Sequence, residues 1–421
     1  MRYTELRYGN YFKARPEIAR RTVDRLRALR AYLDHEVPPR DLERTLLLAT
    51  WNIRDFGTDK FGHGWRTPEA NYYLAQIISA FDIVALQEIG DDLKVFRELE
   101  EMLGPTWEFV VTDTNSVSGG NNERMCFVYD TRKVEFRNMA GEVVLGKGGE
   151  IGGFPRTVTL PAGTQIAGSD GKFTKLAEGT RLRLPKGQEL VDQRQFARTP
   201  FVASFQSAWF KFNLCTVHLY YGGGSGEKLQ RRIQEIDRVA GFFADRQTRQ
   251  LKKYGEKENY ILLGDFNITS QDDATMAPLK TYKYQIPAGI IGNSNMLRTH
   301  PYDQIAFRVR ENEVELAPEI SHPSSGILDF YQVVYRASEQ DGMKAAFASP
   351  ESDFEQYRSQ LPADKIAGMS DAEIRKYYAL TWRTWQMSDH LPKWVALKVD
   401  FTDDYLGRID REARKRMDQP N

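Results

Sequence analysis

Cysteine is nearly absent from this chain of 421 residues, which has only Cys126 and Cys215. Each lies inside an apolar run and reads as a core residue, so no disulfide is signalled and a reducing compartment fits. A charge excess is also missing. Lys+Arg and Asp+Glu both number 58, so no bulk electrostatic argument favours nucleic acid or an acidic membrane, and any attraction for phosphate has to be local. No apolar run approaches a membrane span. The opening MRYTELRYGNYFKARPEIARR lacks the apolar stretch of a secretory signal, so the cytoplasm is the expected location. Histidine is rare as well, at six residues, while 41% hydrophobic and 12% aromatic content are those of an ordinary globular protein with a sizeable core. No internal repeat or low-complexity domain is visible.

Helix and strand signals alternate along the chain. Pro16 opens a helix over 16–35 with Ile18, Leu26, Leu29 and Leu33 on one face. Its other face, with Arg20, Arg21, Arg25, Arg27 and Arg30, reads as a solvated face. Strand Leu46 to Trp51, a helix begun at Thr67-Pro68, strand Asp82 to Leu86 and a helix begun at Asp91-Asp92 follow. That order marks a layered α/β region. Strands are expected at Trp107–Val111, Met125–Tyr129, Phe201–Phe205, Trp209–Val217, Tyr302–Phe307, Ile327–Tyr335 and Trp394–Val399. A long helix carries Leu229, Ile233, Ile236, Val239 and Phe243. Residues 141–195 read as a Gly-rich inserted hairpin region, with turns at Ser169-Asp170-Gly171 and Pro185-Lys186-Gly187. Residues 338–385 read as polar and mostly helical, and 403–421 as a charged surface helix or frayed end. This divides the chain into an N-terminal helical extension (1–44), a main domain (45–400, with insertions near 141–195 and 338–385) and a tail (401–421).

The chain is organised around YILLGDFNIT, Tyr260 to Thr269. The apolar run Tyr260 to Leu263 reads as a buried strand, and Asp265 and Asn267 follow it two apart. In extended chain they project to the same side, a carboxylate and an amide suited to an oxygen-liking cation and its phosphate. Gly-Asp-x-Asn is also ordinary turn chemistry, so the case rests on the other strand ends. These carry Asn52, Glu88, His218, and Asp389 with His390.

Eight segments now matter together: LLLATWNIRDFG, DIVALQEI, NERMCFVYD, ARTPF, TVHLYYG, LLGDFN, PYDQIAF and SDHLPKWVAL. In this order they closely resemble the endonuclease/exonuclease/phosphatase superfamily, in particular its deoxyribonuclease-I-like branch, over most of residues 45–400. The resemblance implies a four-layer αββα sandwich, two packed mixed β-sheets flanked by helices, with the site at one edge. It implies Glu88 as principal ligand of Mg²⁺ (with Mn²⁺ able to substitute) and Asn52 close to the same ion. Asp265 and Asn267 would orient water and bind the scissile phosphate, with Asp389 beside the metal and the attacking water. His218 and His390 would be the paired histidines, partnered by Glu123 and Asp303, and Arg54 and Arg198 would contact phosphate.

Three positions depart from the DNA-cutting members. Gly90 stands where they carry arginine, Asn121 where they carry a groove-side tyrosine, and Ser270 where they carry the first cysteine of a disulfide. The expected activity is metal-dependent phosphodiester hydrolysis by in-line water attack, of endonuclease type, with nucleic acid as substrate. The alternatives are a phosphodiesterase or phosphatase acting on lipid headgroups or small phosphorylated metabolites, and a non-catalytic binding module on the same fold. The sequence sets no oligomeric state.

Overall fold

The computed structural model describes residues 1–114, 122–146, 151, 157–159, 165–167, 172–175, 177, 180–183, 195–255, 258–309, 314–319 and 321–417. Strands β1 (Thr45–Phe56), β2 (Ile83–Ile89), β3 (Trp107–Val111), β4 (Arg124–Asp130) and β5 (Glu135–Glu142) lie in the first third. Four short strands follow, β6 (Thr157–Thr159), β7 (Gln165–Ala167), β8 (Phe173–Lys175) and β9 (Arg181–Arg183). The remainder holds β10 (Phe201–Ser207), β11 (Phe210–His218), β12 (Tyr260–Asp265), β13 (Asp303–Arg308), β14 (Glu315–Leu316), β15 (Ser325–Ile327) and β16 (Lys393–Lys398). One sheet runs β14-β16-β1-β2-β4-β3, with β15 also on β16, and the other runs β13-β12-β11-β10-β5. Each contains one parallel pair, β1 with β2 and β11 with β12.

Strand periodicity builds the layers, because successive side chains enter opposite faces. Leu46, Leu48, Ile83, Ala85 and Phe127 point between the sheets, where Phe205, Leu214, Ile261, Leu263 and Ile305 meet them. Leu47, Ala49, Trp51, Val84 and Leu86 point the other way. That outer face is covered by α3 (Pro16–Glu36), α4 (Pro68–Ile78) and α5 (Leu93–Leu103), which follow the short α1 (Thr4–Tyr8) and α2 (Asn10–Lys13). Cys215, Val217, Tyr260 and Leu262 face α6 (Gly226–Tyr254) through its Ile236, Val239 and Phe243. The result is the expected αββα sandwich. Strands buried on both faces explain the nearly continuous apolar runs. Cys126 and Cys215 are buried, free and in different outer layers.

Several elements differ from expectation. The strand expected at Ile327–Tyr335 ends at Ile327, and a 3-10 turn over Phe330–Gln332 follows. Leu328, Phe330, Val334 and Tyr335 are buried there at irregular spacing, so the run signals burial without a β period. The arginine face of α3 is only partly solvated. Arg21 Nη2 lies 2.8 Å from Glu69 Oε2 and Arg25 pairs with Asp353, whereas Arg20 stays exposed. The 338–385 segment is helical in short pieces, but Phe354, Tyr357, Tyr378 and Trp382 are fully buried in the helix-side core. It is part of the sandwich's outer layer. Within 141–195, β6 pairs with β9 and β7 with β8, both antiparallel. The turns placed at 169–171 and 185–187, like Leu160, Leu184 and Asn121, fall outside the described residues. The tail forms an exposed helix, Thr402–Met417. Among the described residues, no helix is long and apolar enough to cross a membrane.

The fold collects strand ends at one edge. The carboxyl ends of β1, β2, β11 and β12 supply Asn52, Glu88, His218 and Asp265. Their antiparallel neighbours β4, β10, β13 and β16 begin at that edge, with Asp303 opening β13 and Glu123, Arg198 and His390 lying one to three residues ahead of the other three. The crevice beyond the carboxyl ends of parallel strands is where α/β folds bind ligands.

Candidate active site

Irregular backbone turns these side chains inward. Between β1 and β2 the register jumps from Asn52–Gln87 to Phe56–Ile89, and Glu88 sits in the bulge with φ +61°. Arg54, Asp55 and Asn267 also take positive φ (48°, 47° and 54°). Such residues cost roughly 1–3 kcal/mol each and gather at functional sites. Gly264 has φ +128°, and a Cβ there would lie 2.2 Å from Val217 O, so only glycine lets β12 approach β11 this closely.

The two histidines are built alike. His218 Nδ1 lies 2.9 Å from Glu123 Oε2, and His390 Nδ1 lies 2.8 Å from Asp303 Oδ2. Their Nε2 atoms converge on one oxygen, Asp265 Oδ2, at 3.7 and 3.8 Å. His218 Nε2 is also 3.6 Å from Glu88 Oε1. Burial and Arg198 oppose charge on His218, but Glu123 and Glu88 outweigh them and raise its pKa above the ordinary value. Burial likewise opposes charge on His390, yet Asp303 and Asp265 raise its pKa well above the usual range. The converse holds for the partners. Against burial, His218 and Arg198 hold the Glu123 carboxyl far below the usual carboxylate range, and His390 with Ser294 lowers that of Asp303.

Asn52 links the acids. Its Nδ2 donates to Glu88 Oε1 at 2.7 Å and to Asp265 Oδ2 at 3.2 Å, while its Oδ1 accepts from Arg54 N at 3.0 Å. Asp265 Oδ1 accepts from Asn267 N at 2.8 Å, and Asn267 Nδ2 donates to Leu219 O at 2.8 Å. Burial pushes the Glu88 carboxyl up against the pull of His218, and Glu123, Asp55 and Asp389 push the same way. Two groups bring donor atoms within 4.8 Å of one another, Glu88–Glu123–His218 and Asp265–Asp303–His390. Asp389 belongs to neither. It is more exposed, and its Oδ2 lies 3.6 Å from Arg54 Nη1. Arg198 is buried against Glu123, with Nε 2.7 Å from Oε2 and Nη2 donating to Oε1 at 3.2 Å. Its guanidinium orients the carboxylate behind His218.

Several supporting residues have no sequence signal. Ser294 Oγ donates to Asp303 Oδ2 at 2.6 Å. The amine of Lys393 is pushed down by burial to about 8, with Asp303 pulling against the shift. The Tyr302 ring lies 5.6 Å from that of His390. Arg232 Nη1 donates to Asn267 O at 2.6 Å. Arg66 donates to five backbone carbonyls, those of Ile53, Arg54, Asp55, Gln386 and Met387, and so ties the strained turn to the segment before Asp389. Ser388 could have been found, since it stands in the SDH triplet. Its Oγ donates to Asn52 O at 2.6 Å and accepts from His390 N at 2.9 Å.

No curated protein sequence matches the chain. Among solved structures, an endonuclease/exonuclease/phosphatase family protein from Bacteroides thetaiotaomicron superposes with TM-score 0.45 and 14% identity, covering 85% of this chain and 96% of its own. The human Nocturnin catalytic domain gives 0.42 and 12%, covering 85% and 96%. A mannosyl-6-phosphatase from Bacteroides thetaiotaomicron VPI-5482 gives 0.39 and 16%, covering 67% and 89%. The profile of the Endonuclease/Exonuclease/phosphatase family matches residues 49–310, more than half of the chain. With that match spanning the strands from β1 to β13, the protein belongs to the endonuclease/exonuclease/phosphatase family.

Proposed function

We propose that this protein is a divalent-metal-dependent phosphodiester hydrolase of endonuclease type, acting on nucleic acid in the cytoplasm. The observation that carries this reading is the convergence of both imidazole Nε2 atoms on Asp265 Oδ2, each with its Nδ1 against a buried carboxylate. A phosphorane places negative charge where two such imidazoliums can neutralise it.

The donor set fits a hard cation. Glu88 offers carboxylate oxygens with the Asn52 amide 2.7 Å away beside them, and Asp389 adds negative charge nearby. Mg²⁺, or Mn²⁺ in its place, would be held there and would supply Lewis acidity toward a phosphoryl oxygen when bound. The chain's own groups perform the rest. Asp265, fixed by Asn267 N and Asn52, receives a proton from the attacking water, with Asp389 at the exposed side of the site. A P–O bond forms to water as the opposite P–O bond breaks, and a histidine held protonated by its carboxylate gives its proton to the leaving alkoxide. Groups of this kind contribute about 10²–10⁴-fold each. Glu123 and Asp303 fix the tautomers, Arg198 orients Glu123, and Arg54 faces the phosphate.

Gly90 favours a second substrate class. It is buried against Phe56 O, 3.0 Å from where a Cβ would sit, so a groove-reading arginine is replaced there by packed backbone. The test is a hydrolysis panel with Mg²⁺ or Mn²⁺: plasmid DNA, single-stranded DNA, RNA, a small phosphodiester and a phosphomonoester. Metal-dependent nucleic-acid cleavage supports the first reading. Cleavage of small esters alone moves the assignment to a metabolite or lipid phosphoesterase, and silence throughout leaves a binding module.

A further inference from the structure

An aromatic shelf adjoins the site where the loop after β1 meets the end of the 338–385 segment. Trp385 is its centre. The Arg54 guanidinium lies 3.9 Å from its ring centroid, His63 stacks at 4.9 Å with planes 17° apart, and Phe61 tilts against it at 5.0 Å. His63 Nδ1 is fixed 3.0 Å from the Tyr377 hydroxyl. The loop is held closed, with Gly64 N donating to Asp59 Oδ1 at 2.9 Å and Gly62 N to Asp59 O at 3.0 Å. Yet it leaves Phe61 52% and Trp65 60% exposed. Lys60 stands 5.1 Å from the Phe61 ring centroid, and Lys365 Nζ lies 3.4 Å from the Cβ position of Gly62. Arg54 joins shelf to site, because the same guanidinium reaches within 3.6 Å of Asp389 Oδ2.

Resting on the phosphodiester reading above, we propose that Phe61, Trp65 and the Arg54–Trp385–His63 stack bind an unpaired nucleobase next to the scissile phosphate. Rings left exposed on a braced loop supply a flat apolar contact that another flat ring can desolvate on binding. Every base has such a face, and base–aromatic stacking is worth about 1–3 kcal/mol per base. A paired base in a duplex keeps its faces inside the helix. The chain's formal net charge of zero gives no bulk attraction for nucleic acid, so stacking would add to the local cations around the phosphate.

The test compares kcat and KM for a single-stranded oligonucleotide, the same strand with base-free sugars flanking the cleaved bond, and a small phosphodiester without rings. Wild type, Phe61→Ala, Phe61→Tyr and Trp65→Ala are assayed with Mg²⁺. Expected is a KM roughly ten-fold or more higher for the base-free strand, with kcat changed little. Phe61→Ala should raise KM for the base-bearing strand by a similar factor and leave the base-free strand and small diester unchanged, and Phe61→Tyr should restore wild-type KM. Equal KM for both strands, or an equal effect of Phe61→Ala on both, overturns the shelf while hydrolysis stands. Hydrolysis of none of the three esters overturns the phosphodiester reading itself, and the shelf with it.

Discussion

Replacing Arg66 by lysine should loosen the site without touching any group in it. Arg66 Nε donates to Gln386 O at 3.2 Å, Nη1 to Asp55 O at 3.3 Å, and Nη2 to Arg54 O at 2.6 Å, to Met387 O at 3.1 Å and to Ile53 O. Burial lowers its pKa to about 10, so it keeps its charge at neutral pH. A lysine ammonium carries three donors on one atom and cannot span a fork of acceptors. At least two carbonyls would lose their partner. Hydrogen bonds to a charged group contribute about 1.5–3 kcal/mol each, and the partly exposed position permits some rehydration. A loss of about 3 kcal/mol is expected, or roughly 3–4 °C in Tm for a domain of this size. The turn it holds places Arg54 and Asp55 at positive φ, between Asn52 and the bulge at Glu88, and ~1 Å of misplacement can cost about 10²-fold in rate. Thermal unfolding, metal titration and hydrolysis rate are the assays. Millimolar guanidinium should partly restore the rate of Arg66→Ala. A lysine variant with wild-type Tm and wild-type rate would refute the clamp.

Other substitutions probe separate parts of the site. Gly264→Ala forces a Cβ to 2.2 Å from Val217 O at φ +128°, and should cost more than about 2 kcal/mol; an unchanged Tm would show that β11 and β12 can separate freely. Asp389→Asn should leave stability within about 0.5 kcal/mol, because its carboxylate is partly exposed and meets Arg54 only at 3.6 Å. Its hydrolysis rate should still fall, and Glu88→Gln should demand far more metal than Asp389→Asn; equal metal requirements would contradict the ligand assignment. The His390–Asp303 pair should give a pH-dependent stability. His390 has a raised folded pKa, so its contribution is complete below its unfolded value of about 6.5 and is lost as pH rises through the folded value. Asp303 is lowered, so its contribution is present above about 3.9 and is lost as pH falls through its folded value. Urea unfolding should therefore show His390→Asn destabilised most between about pH 4 and 6.5 and less at alkaline pH; a pH-independent difference would exclude the pair.

The sandwich was legible because its strands are buried on both faces, which leaves runs such as LLLATW and YILLGD that little else explains. The edge strand β5 was not, because most of its residues, from Glu135 to Glu142, are exposed and follow no apolar alternation. Ile327–Tyr335 misled for the opposite reason. Its apolar residues pack under helices, and burial does not by itself choose a backbone. Asn52, Glu88, His218, Asp265 and His390 were legible as polar groups ending apolar strands. What brings Glu123 to His218 and Asp303 to His390 is the packing of one sheet on the other, because Glu123 adjoins β4 and His390 precedes β16 in one sheet while His218 ends β11 and Asp303 begins β13 in the other. Long-range contacts of Arg66, Ser294 and Lys393 leave no local pattern at all. The arginines of α3 show the same limit, since only the fold reveals that Arg21 and Arg25 meet Glu69 and Asp353.

The most direct test of the central claim is the rate of phosphodiester hydrolysis with saturating Mg²⁺ for wild type, His218→Ala and His390→Ala, each shown folded by its circular dichroism. Two imidazoles aimed at Asp265 Oδ2 from 3.7 and 3.8 Å should make each loss about 10²-fold or greater, with the double variant falling less than the product of the two. Wild-type rates in either folded variant would contradict a hydrolytic site built on the histidine pair.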